Sequence, residues 1–231
     1  EYFHTWNVKR LRPKEFAEFD YNQENYTELL WFFEGFTSYY DDLLLRRSSL
    51  IDDAQYLKLV AKNINQVHQT PGRKVQSAAQ ASFDAWVKYY RQDENTPNAT
   101  VSYYTLGALI ALCFDLTLRQ EGKTTLDDVM RGLWVHCEGG PMTEQDFAAV
   151  LRALSGRSWA KEIKAWVHGT DELPVNTLLQ SHGVQVTHDD APLAQRLGLR
   201  VAAAAGGVQI KTVLRGSAAE RAGLCAGDEW L

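Results

Sequence analysis

Cysteine is scarce in this sequence. Its three cysteines, Cys113, Cys137 and Cys225, are an odd number without any Cys-x-x-Cys spacing, which speaks against a disulfide framework and against a thiolate zinc site. The same scarcity does not choose between cytoplasm and periplasm. Long hydrophobic runs are missing as well: the longest apolar stretch, 107–114, falls well short of the roughly 18 residues a membrane span requires. The opening residues also lack the basic-then-apolar order of a signal peptide, so the expectation is a soluble chain without an anchor. Cations are not in excess, with 24 Lys+Arg against 29 Asp+Glu and a net charge of −5. They are scattered rather than gathered into a stripe, which makes nucleic acid an unsuitable partner. There is no internal repeat, and no low-complexity tract beyond 202–205.

What remains is an ordinary globular composition. With 231 residues, 45% of them hydrophobic and 11% aromatic, the chain can bury a sizeable core in one large domain or two smaller ones. As far as about Val167, apolar positions recur at three- and four-residue spacing, as in Leu57, Val60, Ala61, Ile64 and Val67, which predicts a helical array. Thr143 stands three residues before Asp146 like a helix N-cap, and another start is expected at Thr124. A connector follows over 169–190. From there the texture turns β-rich, with strand-like alternation at 183–187, 197–201 and 207–213.

Few residues could carry chemistry. Glu1-Tyr2-Phe3-His4 would, on an α-helix, place His4 one turn beyond a residue preceding Glu1. A histidine there would complete His-Glu-x-x-His, two imidazoles on one metal with a glutamate set as general base. Alone, Glu-x-x-His is as readily a surface glutamate beside a partly buried histidine. A second segment carries Glu34 inside the apolar run Leu30-Trp31-Phe32-Phe33-Glu34-Gly35-Phe36, where a carboxylate needs a cation, a metal or an exposed helix edge. Asp41, two turns on, is placed either to orient a metal-binding histidine or to solvate a helix end. Tyr103-Tyr104 heads an apolar helix, and a phenol there can donate to a developing oxyanion or simply pack. The remaining histidines, His68, His136, His168, His182 and His188, show no ligand spacing and read as surface or capping residues. Trp31, Trp86, Trp134, Trp159 and Trp166 read as core.

Taken together, Glu1-Tyr2-Phe3-His4-Thr5-Trp6-Asn7, Glu34-Gly35-Phe36-Thr37-Ser38-Tyr39-Tyr40-Asp41, Ser102-Tyr103-Tyr104 with Gly107, and Leu126-Asp127-Asp128-Val129-Met130 resemble the glycyl aminopeptidase family of zinc metallopeptidases, distant relatives of aminopeptidase N. Leu197-Gly198-Leu199, then 216–224 and Gly227-Asp228, look like the first part of the PDZ domain that these peptidases carry. The resemblance implies a mainly α fold: the helical C-terminal part of a gluzincin-type catalytic domain over 1–168, a connector over 169–190, and an incomplete, β-rich PDZ-like unit over 191–231. It implies Glu1 as general base, His4 and Glu34 as zinc ligands, and Tyr104 as the transition-state tyrosine. Leu197, Gly198 and Leu199 would form a peptide-receiving loop for a C-terminal peptide ligand.

The implied reaction is hydrolysis of peptides with small first residues, Gly or Ala, through a zinc-activated water. Three departures stand against the pattern. The first histidine position precedes Glu1, the family's lysine before the glycine is Leu106 here, and the PDZ-like part stops at Leu231. A fragment that is inactive by itself is therefore the expectation, with weak or absent zinc. The competing reading is an inactive peptidase-like scaffold that binds peptides or partners through its PDZ-like module.

Overall fold

The computed structural model describes residues 1–230; Leu231, the last residue of the expected PDZ-like region, lies outside them. Two long helices form the centre. The first, α1 (Leu30–Arg47), buries Trp31, Phe32, Phe33, Phe36, Tyr39 and Tyr40, so its first three turns are enclosed, while Asp41, Leu44, Leu45 and Arg47 toward its end are exposed. After it come α2 (Asp53–His68), α3 (Ala78–Phe83) and the short α4 (Thr96–Ala99), which lead into α5 (Tyr103–Glu121). By length and composition Thr96–Glu121 is apolar enough to cross a membrane, a property that the count of uninterrupted apolar residues does not reveal. Yet 72% of its apolar window is buried within the protein, as in a core helix.

The two central helices touch backbone to backbone. A Cβ on Gly35 would stand 2.4 Å from the Gly107 Cα, and one on Gly107 would stand 2.2 Å from the Trp31 carbonyl oxygen. Only glycine permits that approach.

Local signals end and begin the outer helices. In α6 (Leu126–His136) the N-cap is Thr125, one residue beyond the expected Thr124, and it forms a reciprocal capping box with Asp128. The Thr124 hydroxyl reaches the same carboxylate at 3.4 Å. The box at the start of α7 (Glu144–Ser155) uses Thr143 and Asp146 as the spacing predicts. Next follow α8 (Ala160–Trp166) and α9 (Val175–Ser181), whose Val175, Leu178 and Leu179 join the same core as α1 and α5. The alternating stretch 183–187 forms no strand: Val184 and Val186 pack on the helical core instead. A short parallel pairing of β1 (Arg12–Pro13) with β2 (Pro141–Met142) ties the N-terminal segment to the α6–α7 loop.

A small β-rich unit follows α10 (Leu193–Leu197). Here β3 (Leu199–Ala204) and β4 (Gly207–Val213) form an antiparallel hairpin with an irregularity between Arg200 and Val201, α11 (Ala218–Arg221) packs beside it, and β5 (Glu229–Trp230) pairs with β4. Its buried core is Leu199, Ile210 and Ala219. The unit rests on the helical part through the Asn98 amide, which donates to the Val213 carbonyl at 2.9 Å and accepts from the Arg215 N–H at 2.8 Å. In doing so, Asn98 imitates a neighbouring strand. The fold is thus mainly α with a β-rich end.

Of the tryptophans expected in the core, Trp31 and Trp159 are fully buried, but Trp86 is 40% exposed. It sits in a π-helical turn, Ala85–Tyr89, whose extra residue turns the indole outward, and its N–H donates to the Asn25 carbonyl at 3.0 Å. Trp134 lines a shallow apolar pocket with Phe3, Trp6 and Met130.

Candidate active site

The chain opens as a 3-10 helix, Tyr2–Thr5, rather than the expected α-helix. It cannot continue because Asn7 is buried and anchored to α1, donating to the Phe33 carbonyl at 3.0 Å and to the Thr37 hydroxyl at 3.3 Å. That anchor lays the opening turn along α1, with Phe3 stacked on Tyr40 at 4.7 Å. As a result, His4 faces Glu34.

The His4 Nε2 lies 3.2 Å from the Glu34 Oε2, with only 16% and 19% of the two side chains exposed. On the other side of the imidazole, Nδ1 stands 2.8 Å from the Asn7 carbonyl and 3.4 Å from the Thr37 hydroxyl. A carbonyl only accepts, so Nδ1 donates to Asn7, and this fixes the ring with Nε2 facing Glu34. Asn7 and Thr37 thus orient His4, a role that sequence reasoning did not assign. The signal was present in an asparagine three residues after the histidine and in the threonine of the Glu-Gly-Phe-Thr stretch.

Other carboxylates crowd this pair. Burial pushes the Glu34 carboxyl above the usual carboxylate range; His4 pulls it down, and the charges of Glu1 and Asp41 push it up again. Asp41 is half-exposed and lies 3.5 Å from the Glu1 amino nitrogen, while the Nδ1 of His4 is taken by Asn7. Across the helix crossing stands Tyr104. Its phenol is raised well above the ordinary tyrosine value by burial and then by the charge of Glu34, so it stays protonated and able to donate. The crossing explains the juxtaposition: Glu34 adjoins Gly35, Tyr104 lies one turn before Gly107, and those two glycines are the point of contact.

The residues fit a zinc ion in part. Two ligands at 2.0–2.1 Å from one tetrahedral zinc stand about 3.3 Å apart, close to the 3.2 Å between His4 Nε2 and Glu34 Oε2. A ligating imidazole whose other nitrogen is tied to a backbone carbonyl is likewise the expected arrangement. Among the described residues no group of three His, Cys, Asp or Glu side chains could enclose a metal, so His4 and Glu34 would be two donors of a set that these residues do not complete.

Residues 1–110 match the M61 glycyl aminopeptidase family. That segment contains Glu1, His4, Glu34, Asp41 and Tyr104. A solved structure, an aminopeptidase N family protein from Idiomarina loihiensis, superimposes on 99% of this chain with a TM-score of 0.88 and 39% identity. The chain spans 42% of that protein's length. No curated protein matches. Both similarities are to peptidases, and both extend over the site.

The other expected residues lie apart. The five remaining histidines are exposed at the surface: His68, His136 and His168 face Glu172, Asp146 and Glu144, and His182 caps α9 through the Leu178 carbonyl. In the Leu197-Gly198-Leu199 loop, the Gly198 N–H closes α10 on the Gln195 carbonyl, and its carbonyl accepts from the Leu214 N–H at 2.8 Å. Gly198 has φ +80°, and a Cβ there would meet the Ser217 Cβ at 2.2 Å. Gly198 and Leu199 are buried, so the part these two play in the loop is structural.

Proposed function

We propose that this chain is the helical part of a zinc-dependent aminopeptidase acting on peptides with small first residues such as Gly or Ala. The observation that carries the reading is the His4–Glu34 pair at ligand-to-ligand spacing, oriented from behind by the Asn7 carbonyl. His4 Nε2 and Glu34 Oε2 would hold the ion. The third protein ligand would come from the residue preceding Glu1 in the full-length gene product, with Asp41 placed to orient it.

Zinc bound there would supply a Lewis acid and lower the pKa of a coordinated water toward neutrality. The Glu1 carboxylate, on the open side of the site, would take the proton of the attacking water on one oxygen and pass it to the leaving amine. Tyr104 would donate its phenol proton to the substrate oxygen as negative charge gathers there. Asn7 and Thr37 would keep the imidazole from rotating. Residues 191–231 would form the start of a PDZ-like unit, with the loop at Leu197, Gly198 and Leu199 facing a peptide C-terminus.

Glu1→Gln in the full-length protein tests this directly. Hydrolysis of Gly- and Ala-initiated peptides should fall by on the order of a thousand-fold or more while zinc content stays the same. Retained activity would remove Glu1 from the base role.

A further inference from the structure

A strip of aromatic side chains runs away from Tyr104 and becomes exposed as it goes. At its near end the ring of Tyr103 stacks on that of Tyr104 at 4.7 Å, and Tyr89 packs on both, at 4.9 and 5.8 Å. Tyr90 comes next, 5.4 Å from Tyr89, and then Trp86, 6.2 Å from Tyr90 with the two ring planes 52° apart. Tyr90 is 61% exposed and Trp86 40%. An exposed tyrosine or tryptophan ordinarily lays its ring on the protein and turns its polar atom to water. These two do the reverse. The Tyr90 hydroxyl lies inward, 3.3 Å from the hydroxyl of the buried Tyr103, and the Trp86 indole N–H donates to the Asn25 carbonyl at 3.0 Å. Each ring is thus tethered by its polar atom and bares its apolar surface.

We propose that Trp86 and Tyr90 form a substrate subsite, stacking an aromatic side chain that the peptide carries two or three residues beyond the scissile bond. The inference rests on the aminopeptidase reading with Tyr104 as oxyanion donor, and what makes substrate the occupant is continuity with that residue. Tyr104 marks the scissile carbonyl, and Tyr90 stands two ring-to-ring steps of 5.8 and 5.4 Å from it, a reach of at most about three residues of extended chain. An aminopeptidase leaves a single residue on the amino side of the bond it cuts. Contact at that distance therefore falls on the leaving part of the peptide. Two bare ring faces set at an angle suit a flat apolar side chain, which gains both burial and ring-to-ring contact there. Because both rings are already tethered, little side-chain freedom is lost when the peptide arrives. The π-helical turn Ala85–Tyr89 carries Trp86 and leads directly into Tyr90, and such turns recur at functional sites.

Moving a single Phe along the peptide Gly-Ala-Ala-Ala-Ala-Ala tests this in the full-length protein. KM should fall by about ten-fold when Phe stands second or third after the scissile bond, and not when it stands fifth. The value of kcat should stay level across the series, since a contact so far from the reacting atoms is the same in ground and transition states. In Tyr90→Ala the advantage in kcat/KM of the best Phe peptide over the all-Ala peptide should drop from about ten-fold to near one. Trp86→Leu, which keeps an apolar side chain without the π face, should lower the same ratio and serves if Tyr90→Ala does not fold. A KM that ignores the position of Phe, or an unchanged ratio in both variants, would overturn the inference while leaving the peptidase reading intact. A flat series joined to a lower urea midpoint for Tyr90→Ala would assign the strip to an interface within the full-length protein, which overturns it as well. Failure to cleave any of these peptides would overturn both readings.

Discussion

The helical part and the β-rich end of this molecule are held together in different ways. In the helical part, a continuous core of large aromatic and aliphatic side chains encloses α1 and α5, and buried polar groups there commonly carry several partners, although the indole nitrogen of Trp31 has none. Asp115, for example, receives the Tyr39 hydroxyl at 2.6 Å, Arg119 at 2.9 Å and the Leu126 N–H at 3.2 Å. The β-rich end buries Leu199, Ile210 and Ala219, leaves Trp230 37% and Leu224 38% exposed, and leans on Asn98. So small a core supplies little stability by itself. The region that carries the candidate chemistry is thus the rigid one, while the β-rich end keeps its place through a few polar contacts.

The strongest way to break this contrast is at the helix crossing. Gly107→Ala places a methyl 2.2 Å from the Trp31 carbonyl oxygen, so α1 and α5 must separate. We expect a loss of about 3 kcal/mol, seen as a lower urea midpoint for the helical part. An unchanged midpoint would show that the crossing has slack. Asn98→Ala sharpens the contrast from the other side. It should cost the docked β unit about 1–2 kcal/mol, accelerating amide exchange in β3 and β4 while α1 and α5 keep their protection. Equal acceleration in all four would mean that the two parts unfold as one.

The smallest expected effect is acid loosening of α6 and α7. The Thr125 hydrogen bonds hold the Asp128 carboxyl below the usual carboxylate range. In Asp146, burial pushes upward, but Thr143 and His136 outweigh it and the carboxyl is again lowered. A lowered folded pKa means that the stabilisation is present above the unfolded value of about 3.9 and is lost as pH falls through the folded values. The urea midpoint should therefore decline as pH falls below about 4, and Thr125→Ala with Thr143→Ala should flatten that decline. An unaltered slope would remove the caps from the account.

Much of this was legible in the residues, and the failures have local causes. The Thr143–Asp146 cap and the strand 207–213 were readable because each depends on neighbours in sequence. The stretch 183–187 has the same alternation but no partner strand, and its valines found the helical core instead. Trp86 was misplaced because periodicity assumes 3.6 residues per turn and the chain forms a π-helical turn there. The Glu1–His4 segment was read as an α-helix because nothing adjacent announces that Asn7 will be pinned to Phe33 and Thr37, some thirty residues on. Glu34 was conspicuous as a carboxylate in an apolar run. Its partner His4 and its opposite, Tyr104, came from the resemblance; spacing alone did not bring them together.

The central claim is that His4 and Glu34 are two ligands of one zinc ion, and zinc titration of the full-length protein tests it most directly. One tightly held equivalent is expected, with His4→Ala and Glu34→Ala each weakening it by on the order of a hundred-fold or more, and with this chain alone binding zinc only sub-stoichiometrically. Equal zinc affinity in the parent and both variants would contradict the account.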